Sequence, residues 1–177
     1  MKGQDFPRLT TERLRLEPFA RHHSGGVFAL WSNAEVCRYS GEAHDWEGRP
    51  IDLPARFPSD SDRILDFFMR RAAEGTGVRW EVVSKNGDLC LGAVGLNAVT
   101  PTAELAYHFH PDHWGLGYAT EACTAVLEWC RSKRPDTTIE AFVDAENVAS
   151  VHLIQRLGFE ETVTLRDGAR CYVLQRG

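Results

Sequence analysis

The run Leu14-Arg15-Leu16-Glu17-Pro18-Phe19 alternates apolar and polar positions and stops near a proline, which predicts a first strand. Val27, Leu30 and Trp31 recur at helical spacing and predict a helix over about 22–36, with Gly25 and Gly26 weakening its start. Residues 40–61 hold three prolines and two glycines with little period and read as a long loop. From about Asp62 a broad apolar face (Ile64, Leu65, Phe67, Phe68, Met69, Ala72) predicts a second helix. Strands over 79–84 and 89–99 flank an Asn-Gly-Asp turn, and a strand over 105–109 follows Thr100-Pro101. A glycine-bearing loop, 113–117, then leads into a helix over about 118–133, with Ala119, Ala122, Cys123, Val126, Leu127 and Cys130 on one face. Residues 138–143 read as a strand, and Asn147 as the N-cap of a helix that closes at Leu157-Gly158. A last hairpin, 159–165 and 170–175, turns through Asp167-Gly168. The economical fold class is α/β (α+β): one mixed, mostly antiparallel sheet with helices on both faces.

A chain of 177 residues suits a single domain over 1–177, and 43% hydrophobic with 25% charged residues is the balance of a globular protein. The net charge of −5 argues against a nucleic-acid partner, which would call for a basic surface. The longest stretch free of Asp, Glu, Lys and Arg, 89–103, is shorter than the roughly 18–20 apolar residues a bilayer crossing needs, so no membrane partner is expected. The first seven residues contain no apolar signal core. Five widely spaced cysteines without a C-x-x-C read as free thiols in a reducing compartment, hence a cytoplasmic location.

The candidate chemistry gathers where strand 105–109 runs into Gly115-Leu116-Gly117-Tyr118-Ala119-Thr120 and a helix. Glycines permit a tight turn with inward-pointing N–H groups, and a helix N-terminus adds positive partial charge, so the junction suits phosphates. No G-K-[ST] follows, which excludes a Walker loop. The segment 110–122, His-Pro-Asp-His-Trp-Gly-Leu-Gly-Tyr-Ala-Thr-Glu-Ala, precedes Asn147-Val148-Ala149-Ser150 and Leu157-Gly158-Phe159. Together they resemble the GNAT superfamily of N-acetyltransferases, and Thr10-Thr11-Glu12-Arg13-Leu14-Arg15-Leu16 is similar to the opening of its RimJ/RimL-like, ribosomal-protein-acetylating branch. The resemblance spans roughly 9–175 and implies the GNAT fold with acetyl-CoA as cosubstrate. It assigns Phe109 and His110 to pantetheine, Trp114, Gly115, Leu116, Gly117, Tyr118, Ala119 and Thr120 to pyrophosphate, and Asn147 to a pantetheine contact. Two positions depart from the family pattern. Asp112 stands where Gln or Arg is common, and Ile154 where many members carry the tyrosine that protonates the departing thiolate. In the RimL-like branch a serine one turn earlier serves, and Ser150 matches it. Glu104 matches the strand glutamate used as base in some members, on one strand face with Ala106, His108 and His110.

The implied activity is N-acetylation of a primary amine, on a protein N-terminus or a small molecule, by direct attack on the thioester. An amine of pKa near ~10 is only about one part in a thousand neutral at pH 7, so a base helps. A CoA-binding module of the same fold without turnover is the alternative. A third reading takes 108–113, which fits H-x-H-x-D-H, as a zinc hydrolase site built on His108, His110 and His113. Beside the acetyltransferase reading, no metal is expected. Residues 40–62 carry six carboxylates against Arg49 and Arg56, a net −4 that could steer a cationic amine acceptor. Related enzymes are often homodimers, so a homodimer is a further expectation.

Overall fold

The computed structural model describes residues 6–175. Ten strands are present: β1 (Leu9–Thr10), β2 (Leu14–Pro18), β3 (Ala43–His44), β4 (Pro50–Ile51), β5 (Val78–Ser84), β6 (Cys90–Leu96), β7 (Thr102–Phe109), β8 (Thr138–Val143), β9 (Phe159–Arg166) and β10 (Ala169–Leu174). The helices are α1 (Ser24–Trp31), α2 (Ala34–Cys37), α3 (Pro58–Glu74), α4 (Tyr118–Lys133) and α5 (Val148–Arg156). Eight strands form one sheet in the order β1-β2-β5-β6-β7-β8-β10-β9. Every neighbouring pair is antiparallel except β7–β8. The mixed sheet expected from the sequence is therefore present.

Each face of the sheet carries its own core. Val94 and Leu96 of β6 join Trp80 and Val82 of β5 beneath α4, whose Ala122, Cys123, Val126 and Cys130 are fully buried. Ala93 points to the opposite face and packs with Val27, Leu30 and Trp31 of α1 and Ile64 and Leu65 of α3. Trp31, Trp80 and Trp129 are all core residues, as their periodic positions suggest.

Besides the short β1 and a β7 that begins at Thr102 and not at Leu105, two segments differ from the sequence expectation. The helix expected over 22–36 is a 3-10 turn at Arg21–His23, then α1, then α2, separated where Asn33 leaves helical geometry and caps α2 by accepting from the Glu35 and Val36 amides. Residues 40–61 are not wholly loop. They hold the β3–β4 hairpin, and α3 begins at Pro58, a residue preset for the first helical position, where the sequence suggested Asp62. The hairpin turn is organised by Asp45, which is 4% exposed and accepts from the Glu47 and Arg49 amides and from the Arg49 and Arg63 side chains. Burial alone would raise its pKa, but hydrogen bonds from Arg63 and Arg49 hold it down at about 2.

Beneath the start of α1 lies a buried proton-binding pair. His23 Nδ1 accepts from the Ala20 amide at 2.9 Å, so the neutral ring carries its proton on Nε2, 3.4 Å from Glu81 and 3.6 Å from Glu17. Burial lowers the His23 pKa and raises that of Glu81 to about 7, despite a hydrogen bond from Cys90 that favours the carboxylate. The Glu81 pKa is raised above its unfolded value, so its contribution to stability is complete below that lower value. It is lost as pH rises through about 7. Glu81→Gln is accordingly expected to gain stability relative to wild type as pH goes from 5 to 8. Urea midpoints at the two pH values check this.

Candidate active site

The candidate site opens at the parallel strand pair β7–β8. β7 and β8 are in register only at Thr102↔Thr138, Ala103↔Ile139 and Glu104↔Glu140. Beyond Glu104, β7 stays bonded to β6 through Phe109, while β8 stays bonded to β10 through Val143. The two strands thus part, leaving a wedge with Glu104 at its closed end. Glu104 and His110 both direct their amides toward β6, to the carbonyls of Ala98 and Leu91. By strand alternation Tyr107 and Phe109 aim their backbone groups into the wedge, as extended-chain hydrogen-bonding partners. One is already taken: Trp114 Nε1 donates to the Phe109 carbonyl at 2.7 Å.

At the mouth of the wedge lies the glycine loop. A 3-10 turn, Pro111–His113, leads to Gly115 and Gly117, with φ of 74° and 80°, both in the left-handed region. Gly117 is the N-cap of α4 and no side chain caps the helix; its first hydrogen bond is Glu121 N to Gly117 O. The amides of Tyr118, Ala119 and Thr120 therefore have no intrahelical acceptor, and with the helix dipole they form an anion cradle. Arg13 braces the loop, donating to the Leu116 carbonyl at 2.8 Å and to Glu121 at 2.6 Å, with its guanidinium 4.6 Å from the Tyr118 ring centre. Sequence reasoning did not single out Arg13 as a site residue, although it lies within the Thr10–Leu16 opening motif. The Asp112 side chain is exposed, and its amide donates to His110 Nδ1 at 3.3 Å.

Across the wedge stands the start of α5. Asn147 Oδ1 accepts from the Ser150 amide at 3.2 Å, which makes it the cap the sequence suggested. The Ser150 hydroxyl hydrogen-bonds to the phenol of Tyr107 from β7, a partner not foreseen from the sequence. Ile154 is fully buried in the main core and offers no proton.

Glu104 shares its strand face with Ala106, His108 and His110, and its carboxylate is fully engaged. Arg166 donates at 2.7 and 2.9 Å and Asn97 at 3.0 Å. Burial alone would raise its pKa, but the Arg166 and Asn97 hydrogen bonds hold it below the usual carboxylate value. Asn97 in turn accepts from Arg79, a buried guanidinium lowered by burial to about 10. His108 contacts the Ser40 hydroxyl at 3.1 Å and the Trp31 ring; burial and the Arg79 charge push it down to about 3, so it is neutral near pH 7.

The zinc reading of His108, His110 and His113 fails on this geometry. His110 Nδ1 accepts from the Asp112 amide, its ring centre is 6.0 Å from that of His113, and His108 turns to Ser40. Among the described residues, the group whose donor atoms lie within 4.8 Å of one another is Glu17, His22 and His23 instead. There the proton on His23 Nε2 occupies the lone-pair position a metal would need. Among the described residues, no helix is long and apolar enough to cross a membrane.

The model of the acetyltransferase (GNAT) domain matches residues 13–160. An N-acetyltransferase of Bacillus subtilis, YoaA, is 29% identical over 176 residues, covering 97% of this chain and 91% of its own. An acetyltransferase structure from Agrobacterium tumefaciens superposes with a TM-score of 0.78 at 21% identity, covering 98% and 96% of the two chains. RimL, a ribosomal alpha-N-protein acetyltransferase in complex with coenzyme A, superposes with a TM-score of 0.74 at 15% identity, covering 94% and 97%. The protein is an acyltransferase that takes acetyl-CoA, and the chain belongs to the GNAT acetyltransferase family.

Proposed function

We propose that the protein moves the acetyl group of acetyl-CoA to the α-amine of a peptide or a small amine of similar charge, by direct attack within the wedge. The observation that carries this is the wedge itself, with unpaired β7 backbone along one side and the α4 amide cradle at its mouth. In this reading Trp114 through Thr120 hold the pyrophosphate, Phe109, His110 and Asn147 lie along the pantetheine, and strand amides receive the charge that develops on the thioester oxygen. Glu104 stays ionised, a poor base toward a free ammonium. It is suited to the far more acidic proton that nitrogen carries once the new C–N bond has formed. Ser150 faces the departing sulfur.

A polyamine acceptor is disfavoured by what surrounds Glu104. Arg166 and Arg79 already counter its charge, so little negative potential is left for a second or third ammonium. In the acidic segment 40–62, Asp45 is likewise countered by Arg49 and Arg63, and Glu47 by Arg49. RimL, named for an alpha-N-protein acceptor, is a structural neighbour in keeping with this choice. The cysteines at positions 37, 90, 123, 130 and 171 are all free thiols, which suits a reducing, cytoplasmic compartment.

The test is CoA release from acetyl-CoA with a serine-starting peptide, spermidine and an aminoglycoside as acceptors. The peptide is expected to turn over fastest; a preference for spermidine overturns the acceptor assignment. On the productive acceptor, Glu104→Gln is expected to lower turnover by about a hundredfold, the modest end of general-base effects, with little change in acetyl-CoA affinity.

A further inference from the structure

The contact between Tyr107 and Ser150 joins β7 to α5 across the wedge, and they are 43 residues apart in sequence. Tyr107 lies three residues past the last β7–β8 pairing, where the strands have parted. Its phenol oxygen is close to the Ser150 hydroxyl and 3.4 Å from the Ser150 carbonyl. Two proton arrangements are therefore open. In one, the phenol donates to the carbonyl and accepts from the serine, whose proton then points away from the wedge. In the other, the phenol donates to the serine oxygen, and the serine proton is free to face a sulfur beside it. At 3.4 Å the carbonyl lies beyond the roughly 2.5–3.0 Å usual for an O–H···O bond, so the phenol proton is better placed on the serine oxygen, which favours the second.

We propose that Tyr107 is a positioning residue for Ser150: its O–H donates to the serine oxygen and so turns the serine proton toward the sulfur of CoA. This rests on the reading of the wedge as the acetyl-transfer site. In the reaction the C–S bond breaks, a C–N bond forms, and one proton passes overall from the acceptor nitrogen to the sulfur. The Tyr107–Ser150 pair gives up no proton in that balance; it supplies a hydrogen bond to the developing thiolate. Burial raises the Tyr107 pKa, with a smaller contribution from Cys123, so the phenol keeps its proton. Asn147, holding the Ser150 amide, fixes the serine from its other side. Ile154, one turn further along α5, is sealed in the core, so the strand supplies the phenol that the helix does not.

The test needs no acceptor. Free CoA is bound to the wild-type protein, and its thiol is titrated by thiolate absorbance, beside Tyr107→Phe, Ser150→Ala, the double variant and Ser150→Thr. The bound thiol is expected to titrate about one pH unit lower in wild type than in Ser150→Ala, a tenfold change in the thiolate ratio. Tyr107→Phe should lose most of that shift, the double variant should lose no more than Ser150→Ala alone, and Ser150→Thr should keep it. A wild-type titration in Tyr107→Phe, with CoA bound normally, overturns the positioning role and leaves a purely structural tie. Failure of the wild-type protein to bind CoA by calorimetry overturns the reading of the wedge itself, and the assignment with it.

Discussion

Substituting Gly117→Val is expected to weaken acetyl-CoA binding by at least about tenfold, or some 1.4 kcal/mol. Position 117 sits at φ 80°, where a β-branched residue is a steric outlier costing on the order of 1–2 kcal/mol. A Cβ there would also come within 3.2 Å of Arg13 Nη2. Arg13 holds both the Leu116 carbonyl and Glu121, so displacing it moves the loop and the first turn of α4 together. The free amides of Tyr118, Ala119 and Thr120 would then no longer converge on one anion. Gly168→Val is the control: φ is 82° and nothing lies within 4 Å of the added Cβ, so backbone strain is matched without any contact to the cradle. Calorimetry with acetyl-CoA should show weakened binding only in Gly117→Val. Equal affinity in the two variants would mean that the pyrophosphate is held elsewhere.

What the sequence made legible follows the range of the forces involved. The Asp167-Gly168 turn places positive φ at both central positions, a local demand written in the two residues themselves. The α4 face and the Asn147 cap are likewise decided within four residues of each other. The start of α1 was obscured for a tertiary reason. Gly26 looked like a helix breaker, but a Cβ there would lie 2.1 Å from Glu81 Oε1 and 2.8 Å from Cys90, so the helix needs glycine to approach the sheet. The hairpin within 40–61 depends on Asp45 reaching Arg63, 18 residues away. The same holds in the site. Gly115–Thr120 is a contiguous motif, whereas Arg13 meets Glu121 over 108 residues and Tyr107 looks like any strand aromatic until α5 brings Ser150 to it. Glu104 is singled out by its match to a strand glutamate of the resembled family, but the Arg166 pairing that keeps it ionised comes from 62 residues further along.

The core beneath the C-terminal half of α4 should be strongly sensitive to truncation: Trp80→Ala is expected to cost about 3–5 kcal/mol of stability. Trp80 is completely buried in β5, edge-on to Phe6 at 6.1 Å and to Trp129 of α4 at 5.5 Å between ring centres. Its Nε1 donates to the Pro7 carbonyl at 2.8 Å, so truncation leaves a cavity and an acceptor without its donor. At roughly 2–4 °C per kcal/mol for a chain of this size, the melting temperature should fall by about 10 °C or somewhat more. Trp80→Phe keeps most of the ring packing and loses the indole N–H, so its smaller cost separates cavity from hydrogen bond. Urea unfolding with an unchanged slope would locate both losses in the folded state. Because Trp129 anchors the C-terminal half of α4 while the cradle lies at its other end, acetyl-CoA affinity in the folded fraction of Trp80→Ala should remain close to wild type. A parallel loss of affinity would instead show that the position of α4 on the sheet, and not only the conformation of its first turn, sets the cradle.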